Sequence, residues 1–345
     1  MKSVGSVRAR MLAVMLCLAL CTLAGAAVPA IDEIERGLRG QPEAALKALE
    51  QVLPTLQGVD RVEAVLLQGM INAGLRHETA VAQAAEQLDK LGSTGRLPVA
   101  MAAAGLLRAR AEGRQGNAGR ADRLLTEAMA WLPRDVPPSL RLRFLDAQAS
   151  TRQSLGKLDE TVALLQETVT LADTSAPLWR RSEQRTALAY ALYQAQHTER
   201  ALAVNQEAAV LATQAGDLLA LSSVMTTDSI LYAALGREAD ELRASQAAID
   251  LARQGGSKRL EVLGMANLAD FYLQRGDYRT ALRLSQQALP LAREVRDVNS
   301  ESVALTNAGL SQIHLGNHAQ GVQQVRQALE LEERGGGLPE MADMH

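Results

Sequence analysis

The chain has 345 residues, 47% apolar but only 3% aromatic, with 36 basic and 39 acidic side chains for a net charge of −3. That mild acidity argues against a nucleic-acid ligand, whose phosphates need a basic face. Leu, Ala and Val must therefore fill the core. Because Ala and Leu are strong helix formers and strand-type alternation is hard to find, the class reads as all-α.

Residues 1–26 read as a signal peptide. Lys2, Arg8 and Arg10 form a basic head, residues 11–23 an apolar run, and Ala24, Gly25 and Ala26 a small-residue cleavage site. The competing reading is an uncleaved anchor, since residues 11–28 just reach the roughly 17–25 that a spanning helix needs. Membrane contact is expected only in that case. A lipoprotein signal fits less well, because Leu20 precedes Cys21. Both cysteines, Cys17 and Cys21, lie here, so a processed chain would have neither disulfide nor thiol chemistry. Cleavage after Ala26 would leave 319 residues of net charge −6. The expected destination is across the inner membrane, in the periplasm.

Residues 27–100 carry degenerate helical repeats. "GQPEAALKALEQVL" from Gly40 reads as a second helix with its turn, and "LLQGMINAGLRHETAVAQAAEQL" from Leu66 as a hairpin of unfixed register. From 101 to 334 a 40-residue period is plain, giving six repeats. Its anchors are Gly116, Gly156, Gln196, Gly236, Gly276 and Gly316. Seven residues earlier stand Ala109, Ala149, Ala189, Ser229, Ala269 and Gly309; twelve later, Ala128, Thr168, Ala208, Ala248, Ala288 and Ala328. Next to that second column runs Met129, Val169, Ala209, Ile249, Leu289 and Leu329, and two further on Trp131, Leu171, Leu211, Leu251, Leu291 and Leu331. Small and large columns side by side are what two closely packed helices require.

Each unit is thus a helix, a glycine turn and a second helix, with Asn117, Asp277 and Asn317 placed to cap the helix that follows. "PRDVPPSL" from Pro133 is a connection within the array, since the period crosses it without slipping. Pro290, fourteen residues after Gly276, lacks an N–H and is bulky, so it predicts a bend at 286–290 or an early helix end. Residues 335–345, "GGGLPEMADMH", read as a disordered tail, too short to be the polar cap with which solenoids finish. Either the last helix caps itself or something else covers that end.

"NLADFYLQRGDYRTALRLSQQALPL" resembles the tetratricopeptide repeat family through Leu268, Ala269, Tyr272, Gly276, Ala281 and Ala288. "NAGLSQIHLGNHAQGVQQVRQALEL" repeats the pattern with Gly309, Gly316 and Ala328 but has Gln312 for the usual Tyr and Gly321 for the usual Ala. The period is longer than the common 34 residues and is similar to that of kinesin light chains and bacterial peptide-sensing regulators. The resemblance covers about 105–334 and implies a right-handed α-solenoid of antiparallel helix hairpins. It also implies that Asn267 and Asn307, in one column of consecutive repeats, point into the concave groove and bond a peptide backbone. An amide donates and accepts at once, which suits a main chain of any sequence. The competing role for both is to cap or bridge neighbouring helices. Tyr190, Tyr193, Thr226, Ile230, Ala266, Asp270, Gln274, Thr306, Leu310 and His314 are expected to line the same face, a mixed groove without the Lys and Arg of a carboxylate clamp.

Catalytic and metal motifs do not assemble. His314 and His318 have a ligand-pair spacing, but Gly316 falls between them at a turn and no third ligand is near. "SLGK", 154–157, matches an acylating-enzyme pattern by letter yet straddles a turn. "GRQGNAGR" from Gly113 lacks the Gly-Lys-Ser/Thr ending of a phosphate loop. The carboxylate pairs Asp159-Glu160 and Glu332-Glu333 fall on polar faces. The sequence therefore points to an exported, non-enzymatic scaffold or adaptor without cofactors, binding a protein or peptide segment. Its alternative is a periplasmic sensory module read by a membrane partner, which would need a span and an output domain that do not follow Arg334.

Overall fold

The computed structural model describes residues 27–37 and 40–334. The signal segment and the C-terminal tail expected from the sequence lie outside the described residues. Within them are sixteen α-helices and no strand. They are α1 (Ala27–Gly37), α2 (Pro42–Val52), α3 (Gly58–Gly74), α4 (Glu78–Gly95), α5 (Pro98–Arg114), α6 (Ala118–Ala130), α7 (Pro138–Ser154) and α8 (Leu158–Ser175). Then follow α9 (Leu178–Gln194), α10 (Thr198–Gln214), α11 (Leu218–Ala234), α12 (Glu238–Gly255), α13 (Lys258–Gln274), α14 (Tyr278–Glu294), α15 (Val298–His314) and α16 (His318–Arg334). None of the described helices is long and apolar enough to cross a membrane.

From Gly58 onward a helix begins every 20 residues, so the 40-residue period is two equal halves. The turns show why. Two residues before most helix starts the backbone is left-handed, at Gly116, Gly156, Gly216, Gly236, Gly256, Gly276 and Gly316, but also at Arg76, Arg96, Gln196 and Arg296. Apart from that at Arg96, where the Gly92 carbonyl takes both N–H groups, each of these turns closes with the same paired bonds, as in Gly276 N–H to the Leu273 carbonyl (3.1 Å) and Asp277 N–H to the Tyr272 carbonyl (3.0 Å). This is the glycine-type helix stop, in which two orphan carbonyls are satisfied at once. Two turns depart from it, at Val136-Pro137 and Ala176-Pro177. A residue before proline is pushed to extended backbone, and Ala176 has φ −118° and ψ 154°.

Asp277 caps α14, accepting from the Thr280 N–H at 3.1 Å, and Asp217, Ser257 and Asp297 cap their helices in the same way. Asn117 and Asn317 do not take the expected role. Their amides reach backward instead, Asn117 to the Glu112 carboxylate (2.9 Å) and Asn317 to the Gln312 side chain (2.7 Å). A carboxylate cannot donate and so turns to the free N–H groups ahead, whereas an amide can also donate to an acceptor behind it.

The described residues fall into two compact units, one ending at Leu107 and one beginning at Arg108, the division lying inside α5. The first is centred on Ile31, Ile34, Leu49, Leu56, Leu67 and Ile71. In the second, α7, α9, α11, α13 and α15 are first helices of hairpins, and α8, α10, α12, α14 and α16 are second helices. Each first helix packs on its own second helix, on the second helix of the hairpin before, and, from α9 onward, on the next first helix. First helices therefore form a layer of their own. Between the layers the small columns are the core: Ala189, Ala208, Ala248, Ala269 and Ala288 are wholly buried, as is a further column at Ala172, Ala212, Ala252 and Ala292. The large column beginning at Trp131 lies at the edge of the core: Trp131 is 54% exposed, while Leu171, Leu211, Leu251, Leu291 and Leu331 are half-buried. Small residues at the contact let helix axes approach to about 8 Å, so backbones meet directly. Ser182, Ser222 and Ser302 use that proximity to donate across the layers to the carbonyls of Ala208, Ala248 and Ala328, at 2.8, 2.8 and 3.3 Å.

Pro290 does not end its helix. α14 runs on to Glu294 with the same 17 residues as α13 and α15. Pro290 and Gln286, whose carbonyl loses its intrahelical partner, are both exposed, so water can take that carbonyl in place of the missing N–H.

Candidate functional site

The face of the first-helix layer turned away from the second helices is a repeating stripe. On α13 it reads Leu263, Asn267, Asp270 and Gln274, and on α15 Val303, Asn307, Leu310 and His314. Ser223, Thr227, Ile230 and Ala234 are the equivalents on α11, and Glu183, Ala187, Tyr190 and Gln194 on α9. Steps of four, three and four residues keep each set on one helical face. Four of the exposed large apolar side chains collect here: Val303 at 44%, Leu263 at 40%, Tyr190 at 38% and Leu310 at 36%.

The expected groove residues divide between this face and the seams beside it. Tyr190, Ile230, Asp270, Gln274, Leu310 and His314 lie on the open stripe, with Gln274 donating to Asp270 at 2.6 Å. His314 stacks flat on Tyr278, with ring centroids 4.2 Å apart, and the turn at Gly316 separates it from His318. Tyr193 packs inward against the cluster of Leu188, Leu192 and Leu231 while its ring meets Tyr190 at 6.1 Å. Thr306 is half-buried. Thr226 is buried with its hydroxyl on the Ser222 carbonyl (3.0 Å), and Ala266 is buried too.

The two column asparagines behave differently. Asn307 is buried, and its amide donates across the α15–α13 seam to the Ala266 carbonyl at 3.3 Å. Asn267 is half-buried and makes no side-chain hydrogen bond to any described residue. Leu263, Val303 and Thr227 join the face without having been expected. The signal for them was present, since each shares a column and a helical face with an expected residue.

Two buried polar systems support the layer. Asn205 of α10, wholly buried, donates to the Val224 carbonyl (2.9 Å) and to Asp228 Oδ1 (2.8 Å). Burial pushes the Asp228 carboxyl above its ordinary value, and the Asn205 bond only partly offsets this. Nearer the start of this unit, Arg110, Arg143 and Arg180 surround Asp146, to which Gln184 donates at 3.3 Å. Burial raises the Asp146 carboxyl against the pull of the three guanidiniums. Among the described residues no group of three His, Cys, Asp or Glu is placed to hold a metal ion.

Residues 261–334 match the family model of the tetratricopeptide repeat. No curated protein matches the chain. Among solved structures, the fold is similar to a Rap protein complexed with competence and sporulation factor (TM-score 0.55, 13% identity, 90% of this chain and 98% of that one). It is similar also to the apo form of the quorum sensor NprR from B. thuringiensis (0.53, 12%, 79% and 76%). A third likeness is to a signal-transduction ATPase with a tetratricopeptide repeat sensor from Pyrococcus horikoshii (0.53, 16%, 85% of this chain and 46% of that one). At such identities the likeness is one of fold.

Proposed function

We propose that this chain, a tetratricopeptide-repeat solenoid, is a non-enzymatic scaffold that holds an extended peptide or protein segment along the open face of its first-helix layer. The observation that carries this is the gathering of Tyr190, Leu263, Val303 and Leu310 on one face beside the unbonded amide of Asn267. Aliphatic and aromatic side chains accept the side chains of a bound segment, while an amide that donates and accepts bonds its main chain. The solved complex of NprR with its cognate peptide NprX supports the reading by analogy of fold. The basic head, apolar run and small residues of 1–26 support export, and the scaffold would act in the periplasm.

Panning a displayed random dodecapeptide library on the full chain tests the groove. Enriched peptides should lose at least about tenfold in affinity on Leu263→Glu or Leu310→Glu, as truncating or charging an interface anchor does, with the melting temperature unchanged. Failure to enrich any peptide, or binding indifferent to both substitutions, overturns the proposal. Export is tested separately by cell fractionation with mass spectrometry of the recovered chain, where an intact Met1 would mean an anchor.

A further inference from the structure

First helices do not approach one another equally. α13 and α15 lie close along their inner edges, as do α9 and α11, but α11 and α13 meet over a much shorter stretch. The bond from Asn307 to the Ala266 carbonyl ties α15 to α13. Asn267, one repeat earlier in the same column, makes no such bond to α11. The α11–α13 seam is thus an untied joint of the layer.

This seam holds a polar group with no partner among the described residues. The half-buried Asn267 amide offers both a donor and an acceptor from the α13 wall, flanked by the aliphatic side chains of Ile230 and Leu263.

A charge stands in the same place. Asp270 is half-buried on the stripe, and its one side-chain partner is the neutral Gln274; no described cation pairs with it. The guanidinium that follows α13, Arg275, is engaged by Glu241 at 3.1 Å and Glu238 at 3.4 Å and lies 3.7 Å over the Phe271 ring. At the other end of α13, Lys258 and Arg259 pair with Glu294 and Asp297. Glu238 and Glu241 therefore share that arginine, and Asp270 stands near them without a cation of its own. The crowding registers at Glu241, whose carboxyl is raised chiefly by burial, Arg275 opposing and Glu238 and Asp270 adding to the rise.

We infer that the α11–α13 seam binds a peptide segment whose main chain bonds Asn267, whose aliphatic side chain meets Leu263 and Ile230, and whose cationic group pairs with Asp270. The cation is a Lys or Arg side chain or a free N-terminal amine. This inference rests on the peptide-binding reading above and adds the ligand's charge and the place where it is read.

Calorimetric titration of the full chain with synthetic nonapeptides of Ala, Ser and Val tests it. Each carries one central Lys, norleucine or Glu, and each is made acetylated and with a free N-terminus. Lys should bind about five- to tenfold more tightly than Glu at low ionic strength, the gap narrowing with salt. Asp270→Asn should erase that preference and Asp270→Lys reverse it, while Asn267→Ala weakens all the peptides alike. If the free amine, and not the side chain, carries the preference, acetylation abolishes it and the cation is assigned to the N-terminus. Equal binding of Lys and Glu peptides, or a preference that survives Asp270→Asn, overturns the inference and leaves the groove standing. If no peptide binds while the library above yields binders, the inference fails alone; if neither yields binding, both fail.

Discussion

The Asn205–Asp228 pair puts a carboxylate in a position where the neighbouring repeats have leucine, Leu188 and Leu268, and its removal is informative. Asp228 is almost fully buried and receives one side-chain bond, from an amide that also bonds the Val224 carbonyl. Replacing one partner of such a pair strands the other: Asn205→Leu leaves a buried carboxylate without its donor and should cost about 2–4 kcal/mol. Asp228→Leu leaves Asn205 with the Val224 carbonyl and removes the charge, so it should be neutral or stabilising by about 1 kcal/mol. The double variant should lie near the wild type, giving a coupling of about 1.5–3 kcal/mol across the α10–α11 contact. Urea titrations followed by far-ultraviolet circular dichroism provide the four midpoints.

Their pH dependence is a second readout. Asp228 has a native carboxyl raised above its unfolded value, so the folded chain holds the proton longer than the unfolded one. Its contribution is most favourable when both states are protonated. It is lost as pH rises from the ordinary carboxylate value through the raised native one. The advantage of Asp228→Leu over wild type should therefore grow across that window and then level off. Additive single effects, or an advantage that does not change with pH, would refute the argument.

Three further substitutions probe the frame. Arg296 holds a left-handed φ of 54° where most turns have glycine, so Arg296→Gly should raise stability by about 0.5–1 kcal/mol, the steric relief exceeding the added unfolded-state entropy; a lower melting temperature would contradict it. A Cβ on Gly309 would sit 2.8 Å from the Gly321 carbonyl oxygen and 2.7 Å from Val325, so Gly309→Ala should destabilise the α15–α16 hairpin by about 1–3 kcal/mol, read as faster amide exchange there than in α9–α10. Pro290→Ala restores an N–H opposite the exposed Gln286 carbonyl in an otherwise continuous helix, and a gain of about 1–3 kcal/mol in the melting equilibrium is expected.

How far the sequence could be read depended on whether a position's role is local or relational. The turn at Gly276 is local: the residue itself permits the backbone, and a helix stop follows. The same conformation at Arg76, Arg96, Gln196 and Arg296 carries no mark in its residue type, because the closing backbone bonds hold whatever side chain is present. That is why a 20-residue half-period looked like a 40-residue one, and why the hairpin from Leu66 showed no clear register. Asn117 and Asp277 illustrate a finer failure, in which equivalent positions diverge because one side chain can donate and the other cannot. Asn267 and Asn307 go further still. They share a column, a face and a residue type, yet one ties two helices together and the other makes no bond. What separates them is the spacing of α11, α13 and α15, a property of three helices at once that no single column records. Periodicity can therefore find the face that a repeat array leaves open, but not whether a given column residue ties two helices together or is left without a partner, because that depends on the spacing of neighbouring repeats.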